Sequence, residues 1–139
     1  MESNTPPGDH PGNLAMHFRA HVWLERDGTV LLGPGRALLL ERIDQMGSLR
    51  KASQSMSMSY RAAWGKIKKT EALLGQAVVE KTGHDRSGYS LTPYGKQVLA
   101  LFLAVQRHVN LEAASKAQAL EALETLGVME PHHLDPVQD

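Results

Sequence analysis

The chain has 139 residues, 42% hydrophobic and 22% charged, with 15 Lys+Arg balanced by 15 Asp+Glu and no cysteine. That length predicts one domain with a real core and room for an appended helix. The absence of cysteine excludes a disulfide framework, thiolate metal sites and a cysteine nucleophile, and it fits a reducing, cytoplasmic compartment.

Residues 1–14 carry Pro, Gly, Asn and Asp with almost nothing apolar, and they are expected to form a disordered arm. Acidic and Pro-rich, this start does not have the form of a secretory leader, and no apolar run anywhere approaches bilayer-spanning length. No membrane partner is expected. A small β-hairpin should follow. Phe18, Ala20, Val22 and Leu24 alternate on one face, Arg26-Asp27-Gly28 is turn chemistry, and Thr29-Val30-Leu31-Leu32 resumes as a strand. Gly33-Pro34-Gly35 ends it, and Pro34 suits the first turn of a helix. That helix is expected to run to about Met46, burying Leu38, Leu39, Ile43 and Met46, with Gly47 as its stop.

The next stretch, Gly47 to Trp64, reads as two short helices joined by a tight turn. Ser48 can cap a helix that buries Leu49, Ala52 and Met56. Ser57-Met58-Ser59 breaks the pattern, and Ser59 can cap a second helix starting at Tyr60. That helix keeps Ala63, Ile67, Thr70 and Leu74 inward and places Arg61, Gly65 and Lys68 on the opposite stripe. The small Ala52 lets two crossing helices approach closely, as a helix-turn-helix requires.

After Leu74-Gly75, Val78 to Lys81 and Tyr89 to Thr92 read as short strands flanking the polar loop Thr82-Gly83-His84-Asp85-Arg86-Ser87-Gly88. Strand, glycine-bounded loop and strand directly after such a helix make a wing. Thr92 caps and Pro93 opens a last long helix, residues 93–126, with Val98, Phe102, Val105 and Val109 on its stripe and Leu120 and Leu123 extending it. Any interruption is expected near Asn110. A helix this long and apolar is expected to pair with a second copy, the other possibility being a helix folded back on its own domain. Residues 127–139, with Pro131 and Pro136, read as a flexible tail. The fold class is therefore mainly α with a small β wing (α+β): a winged helix-turn-helix in residues 15–92, preceded by a hairpin and followed by a long C-terminal dimerisation helix.

Charge points the same way. Residues 48–96 hold nine basic residues against three acidic, a surplus of six, and the rest of the chain carries the matching deficit. A basic segment coinciding with a two-helix motif is the electrostatic footprint of a phosphate-binding face. Ser48, Ser59 and the first helical turns offer hydroxyl and N–H donors. Tyr60, Arg61 and Trp64 sit at the leading end of the second helix, and Arg61 is the candidate for bidentate readout of guanine. Gly65 would allow close approach, Arg50, Lys51, Lys68 and Lys69 suit phosphate contacts, and Arg86 can reach DNA from the wing. Trp64, on the flank of its helix, is open to two roles, a DNA contact or packing against the wing or the preceding helix.

Other chemistries find little footing. No Gly-x-Ser-x-Gly elbow, phosphate loop or Gly-x-Gly-x-x-Gly occurs, so no enzyme is expected. His17 with His21 and the pair His132-His133 lack further ligands at metal spacing, so neither metal nor cofactor is expected. The alternative is a winged helix used as a protein-interaction module, which would expose an apolar patch where Arg61 and Lys68 stand.

Gly47-Ser48-Leu49-x-x-Ala52, Met58-Ser59-Tyr60-x-x-Ala63-Trp64, Val79-Glu80 and Leu91-Thr92-Pro93-x-Gly95 together resemble the DNA-binding domain of ModE-type molybdate-responsive regulators. More loosely, the frame is similar to the winged helix of LysR-type regulators. The resemblance covers roughly residues 33–105, and Ser-Tyr-x-x-Ala-Trp is its most ModE-specific element. It implies a homodimer held by the long helix, recognition helices in successive major grooves of double-stranded DNA, and wings on flanking DNA. The loop departs from the Gly-rich wing common in that family, retaining Gly83 and Gly88 around His84 to Ser87. Full-length ModE regulators sense molybdate through additional domains. Here a stand-alone DNA-binding chain is expected, and no molybdate site, because the donors after residue 93 are only Lys96, Arg107 and Lys116 spread along a helix.

Overall fold

A computed structural model describes residues 16–83 and 88–127. The expected arm, the wing tip with Arg86 and almost all of the expected tail lie outside them. The element order is β1 (Leu24–Arg26), β2 (Thr29–Leu32), α1 (Pro34–Met46), α2 (Leu49–Ser55), α3 (Tyr60–Leu74), β3 (Val79–Lys81), β4 (Tyr89–Leu91), α4 (Pro93–Ser115) and α5 (Ala117–Gly127). The described residues divide into two units, one of residues 21–109 and a second of residues 16–20 with 110–127.

In the first unit β1 and β2 pair antiparallel, with Arg26 opposite Thr29. Asp27 and Gly28 both take positive φ in the turn (49° and 79°), the pattern of a two-residue hairpin loop matched to strand twist. The first strand is shorter than the alternation from Phe18 suggests. Its partner ends at Leu32, where Gly33-Pro34 turns into α1, so no strand is available to pair with residues before Leu24.

α1 starts with Pro34 at its first turn and stops at Gly47, whose φ of 63° is left-handed and whose N–H donates to the Ile43 carbonyl at 2.8 Å. Its buried face is Ala37, Leu39, Leu40 and Ile43. The sequence places Leu38 and Met46 inside as well, yet both are 38% exposed. At about 100° per residue, Ala37, Leu39, Leu40 and Ile43 fill one side of the helix, Leu38 falls on the opposite side, and Met46 lies at the rim in the last residue of α1.

Ser48 and Ser59 cap α2 and α3 as expected: Ser48 Oγ accepts the Lys51 N–H at 3.1 Å, and Ser59 Oγ accepts the Ala62 N–H at 3.0 Å. Between the helices, Ser57 takes a positive φ of 54° while the Met56, Ser57 and Met58 N–H groups donate back to Ser53 and Gln54 carbonyls. The core joins Leu32, Leu39, Leu40 and Ile43 to Leu49, Ala52, Ala63, Ile67, Val78, Leu91, Leu99 and Phe102. Ala52 and Ala63 are fully buried where α2 and α3 meet.

The wing pairs Val79 with Leu91, Glu80 with Ser90 and Lys81 with Tyr89. Val78 stays out of the strand because its N–H donates to the Glu71 carboxylate at 2.8 Å. Thr92 leaves it to begin α4. Its hydroxyl donates to the Ala77 carbonyl at 2.7 Å and accepts the Gly95 N–H at 3.0 Å. Gly95 explains the last part of the Leu-Thr-Pro-x-Gly element: a Cβ there would lie 2.2 Å from the Val78 carbonyl oxygen.

In the second unit the helix is interrupted at Lys116, not near Asn110. The Lys116 N–H turns back to the Ala113 carbonyl at 3.3 Å before α5 begins. Ala113 and Leu120 are half-buried there, and the Met16 N–H donates to Glu124 Oε1.

Candidate nucleic-acid interface

α3 is held by its inward stripe. Ala63, Ile67 and Thr70 are buried, the Thr70 hydroxyl donating to the Lys66 carbonyl at 2.9 Å. Arg61, Gly65, Lys68 and Lys69 consequently face solvent. No apolar patch replaces Arg61 and Lys68, which is the feature a protein-docking surface would need. Gly65 sits in the middle of this helix, where glycine costs helix stability. A Cβ there would meet no atom within 4 Å. Packing within the chain gives no reason for it.

The wing flank of α3 carries an aromatic cluster. The Trp64 ring meets Tyr89 of β4 edge to face, with centroids 5.1 Å apart and planes at 87°. Trp64 therefore packs against the wing, one of the two roles open to it, and is half-buried there. Lys68 Nζ stands 4.8 Å above the Trp64 ring and 3.2 Å from Glu71 Oε1. The Arg50 guanidinium stands 5.3 Å above the Tyr60 ring. Both cations are thus positioned by a ring face while their side chains remain exposed. Burial, together with the neighbouring Tyr60 phenol, raises the Tyr89 phenol above its ordinary pKa.

Tyr89 and Glu71 are the organising residues that sequence reasoning misses. The sequence marks Tyr89 only as a strand residue, although an aromatic at the wing base opposite Trp64 is a usable signal. Its N–H donates to the Gly47 carbonyl at 3.2 Å, and Ser48 bridges Gly88, which fastens the wing to the corner between α1 and α2. Glu71 receives the Val78 N–H on one carboxylate oxygen and Lys68 on the other, tying α3 to the start of the wing.

Among the candidate residues, the structure gathers Arg50, Tyr60, Trp64 and Lys68 round this cluster, with Arg61 and Gly65 on the adjoining stripe. Ser48 is buried and Ser59 exposed, both hydroxyls occupied in capping. Lys51 is exposed on α2, and Arg86 lies outside the described residues. His17 and His21 join no group of three possible metal ligands among the described residues.

Two helices packed at a tight turn, followed by a two-stranded wing, are the geometry of a winged helix-turn-helix. Residues 36–96 match the family of bacterial regulatory helix-turn-helix proteins of the lysR type. That segment belongs to this family. The chain is 32% identical over 94 residues to the molybdenum transport protein ModE of Azotobacter vinelandii, covering 66% of this chain and 35% of that one. It is 33% identical over 109 residues to the molybdenum-pterin-binding protein MopB of Rhodobacter capsulatus, covering 76% and 40%. To the transcriptional regulator ModE of Haemophilus influenzae it is 28% identical over 80 residues, covering 56% and 31%. Outside the lysR-type segment no family is assigned: the chain is similar to these ModE and MopB proteins and spans between 31% and 40% of their length.

Proposed function

We propose that the chain is a sequence-specific transcriptional regulator that binds double-stranded DNA through α3. The observation that carries this is the exposed stripe of Arg61, Gly65 and Lys68 on a helix whose glycine has open space above it. A duplex groove admits such a helix most closely where the side chain is absent. Arg61, at the leading turn, reads a base edge. Arg50, Lys51, Lys68 and Lys69 take phosphates, with Ser48, Ser59 and Tyr60 at the two helix starts beside them. Trp64 supports Lys68 from below. Arg86 acts from the wing tip. The name of the Haemophilus influenzae relative, a transcriptional regulator, supports the same reading.

The chain acts as a homodimer in the cytoplasm on this reading. Leu101 and Val105 on α4 are 67% and 44% exposed, and together with Val22, Trp23, Leu24 and Phe102 they line an apolar groove of about 240 Å³ that a second copy would cover. In the other unit Leu111, Leu123 and Leu126 are exposed as well, and residues 93–126 are the proposed dimerisation segment. Among the described residues no helix is long and apolar enough to cross a membrane.

A fluorescence-anisotropy titration tests the DNA reading. With about 6–10 phosphates engaged by a dimer, affinity should fall roughly 10³–10⁵-fold between 50 and 200 mM salt. Constant affinity across that range would refute it. Sedimentation tests the dimer: a monomer at tens of micromolar would contradict it.

A further inference from the structure

On the flank of α3 opposite Trp64, an open groove of about 470 Å³ runs between α3 and the start of α1. Arg36 from the first turn of α1 and Lys66 and Lys69 from α3 line it, and the half-exposed Trp23 indole lies across Gly33 at its edge. No acidic side chain lines the groove, and none of the three cations makes an ion pair among the described residues. Lys68, on the other flank, does have a carboxylate partner. Three unneutralised like charges round one concavity make it a focused positive field, complementary to an anion.

The backbone agrees with the side chains. The first turn of α1 holds no acidic residue, and its N-cap Gly33 supplies no side-chain acceptor. A Cβ on Gly35 would meet nothing within 4 Å, so a ligand can come close to the main chain there. Lys69 follows Gly65 by four residues, hence one turn along the same side of α3, which makes the groove continuous with the outward stripe. Extended polyanions suit such continuity better than compact ones.

We propose that this groove, between α1 and the flank of α3 that faces away from the wing, is a second DNA-backbone contact. Arg36, Lys66 and Lys69 take successive phosphates of the strand bordering the major groove on the side away from the wing. This rests on the DNA-reading role proposed above and extends its footprint to α1.

The test uses full-length Arg36→Gln and Lys66→Gln, with thermal melts to confirm folding and with Arg61→Ala and Lys68→Ala alongside. Binding to a selected duplex and to a scrambled one is measured across salt concentrations, with a hydroxyl-radical footprint. The groove variants should weaken both duplexes alike, lower the log–log salt slope by about 1 for each phosphate no longer engaged, and shorten the footprint on one flank. Three results would overturn the proposal: unchanged slope and footprint, loss confined to one sequence, or unchanged DNA binding with weakened binding of inorganic phosphate, which marks a small-anion site. If only the Arg61 and Lys68 variants lose binding, the groove proposal falls and the DNA reading stands. If wild-type protein binds neither duplex, the DNA reading itself falls.

Discussion

Replacing Gly65 by Ala should move stability and DNA binding in opposite directions. The position is interior to α3, has an ordinary helical backbone, and offers a new Cβ open space within 4 Å. Alanine therefore gains about 0.5–1 kcal/mol of helix stability with no packing cost. For a unit the size of residues 21–109, this raises the melting temperature by roughly 2–8 °C. On the DNA side the same methyl enters the space a close-approaching duplex would fill. Crowding of that kind costs about 1–3 kcal/mol, which is roughly 5–150-fold in affinity. Calorimetric melting and anisotropy on one protein preparation read both effects. A stabilised variant with wild-type affinity would show that Gly65 lies off the interface. A destabilised variant would show that the open-space argument is wrong.

Gly95→Ala should behave in the opposite way, because its Cβ would sit 2.2 Å from the Val78 carbonyl oxygen, which also accepts the Thr92 N–H. A cost of about 1–3 kcal/mol is expected, read as a drop of roughly 5–20 °C in melting temperature. Glu71→Ala removes the acceptor for the buried Val78 N–H and should cost about 1–3 kcal/mol in chemical denaturation, with Glu71→Gln restoring much of it. Molybdate at constant ionic strength should leave DNA affinity unchanged, because Lys96, Arg107 and Lys116 are dispersed along α4 and the residue following it. Saturable micromolar binding in calorimetry, with a shifted DNA affinity, would contradict this.

Local chemistry is the most legible part of this chain. Ser48, Ser59, Gly47 and Gly75 mark helix ends through hydrogen bonds and left-handed φ values that depend on a few neighbouring residues. The outward stripe of α3 follows from the period of its apolar residues. What the sequence hides depends on partners distant along the chain. Leu38 and Met46 are as apolar as Leu39, and only packing against α2, α3 and the wing selects which face of α1 goes inside. The extent of β1 is set by where β2 ends, and the helix break falls at Lys116, where propensity gives no warning. At the site, the basic residues of the motif are readable, whereas Tyr89 acquires its role only when the wing folds back on α3. Arg36 and Lys66 come together from positions 30 residues apart and acquire a common surface only in the fold.

The wing is fastened at both ends: Tyr89 to the Gly47 carbonyl and to Trp64, Gly88 to Ser48, and Val78 to Glu71. If α3 enters a groove as proposed, such a head has little give between that helix and the ribbon beside it. When it meets a duplex whose groove spacing differs from its own, the adjustment falls on the nucleic acid. Bending or twisting a stiff step costs more than a flexible one. Base pairs that no side chain touches would then be selected for their pliancy, and part of the sequence preference would be mechanical.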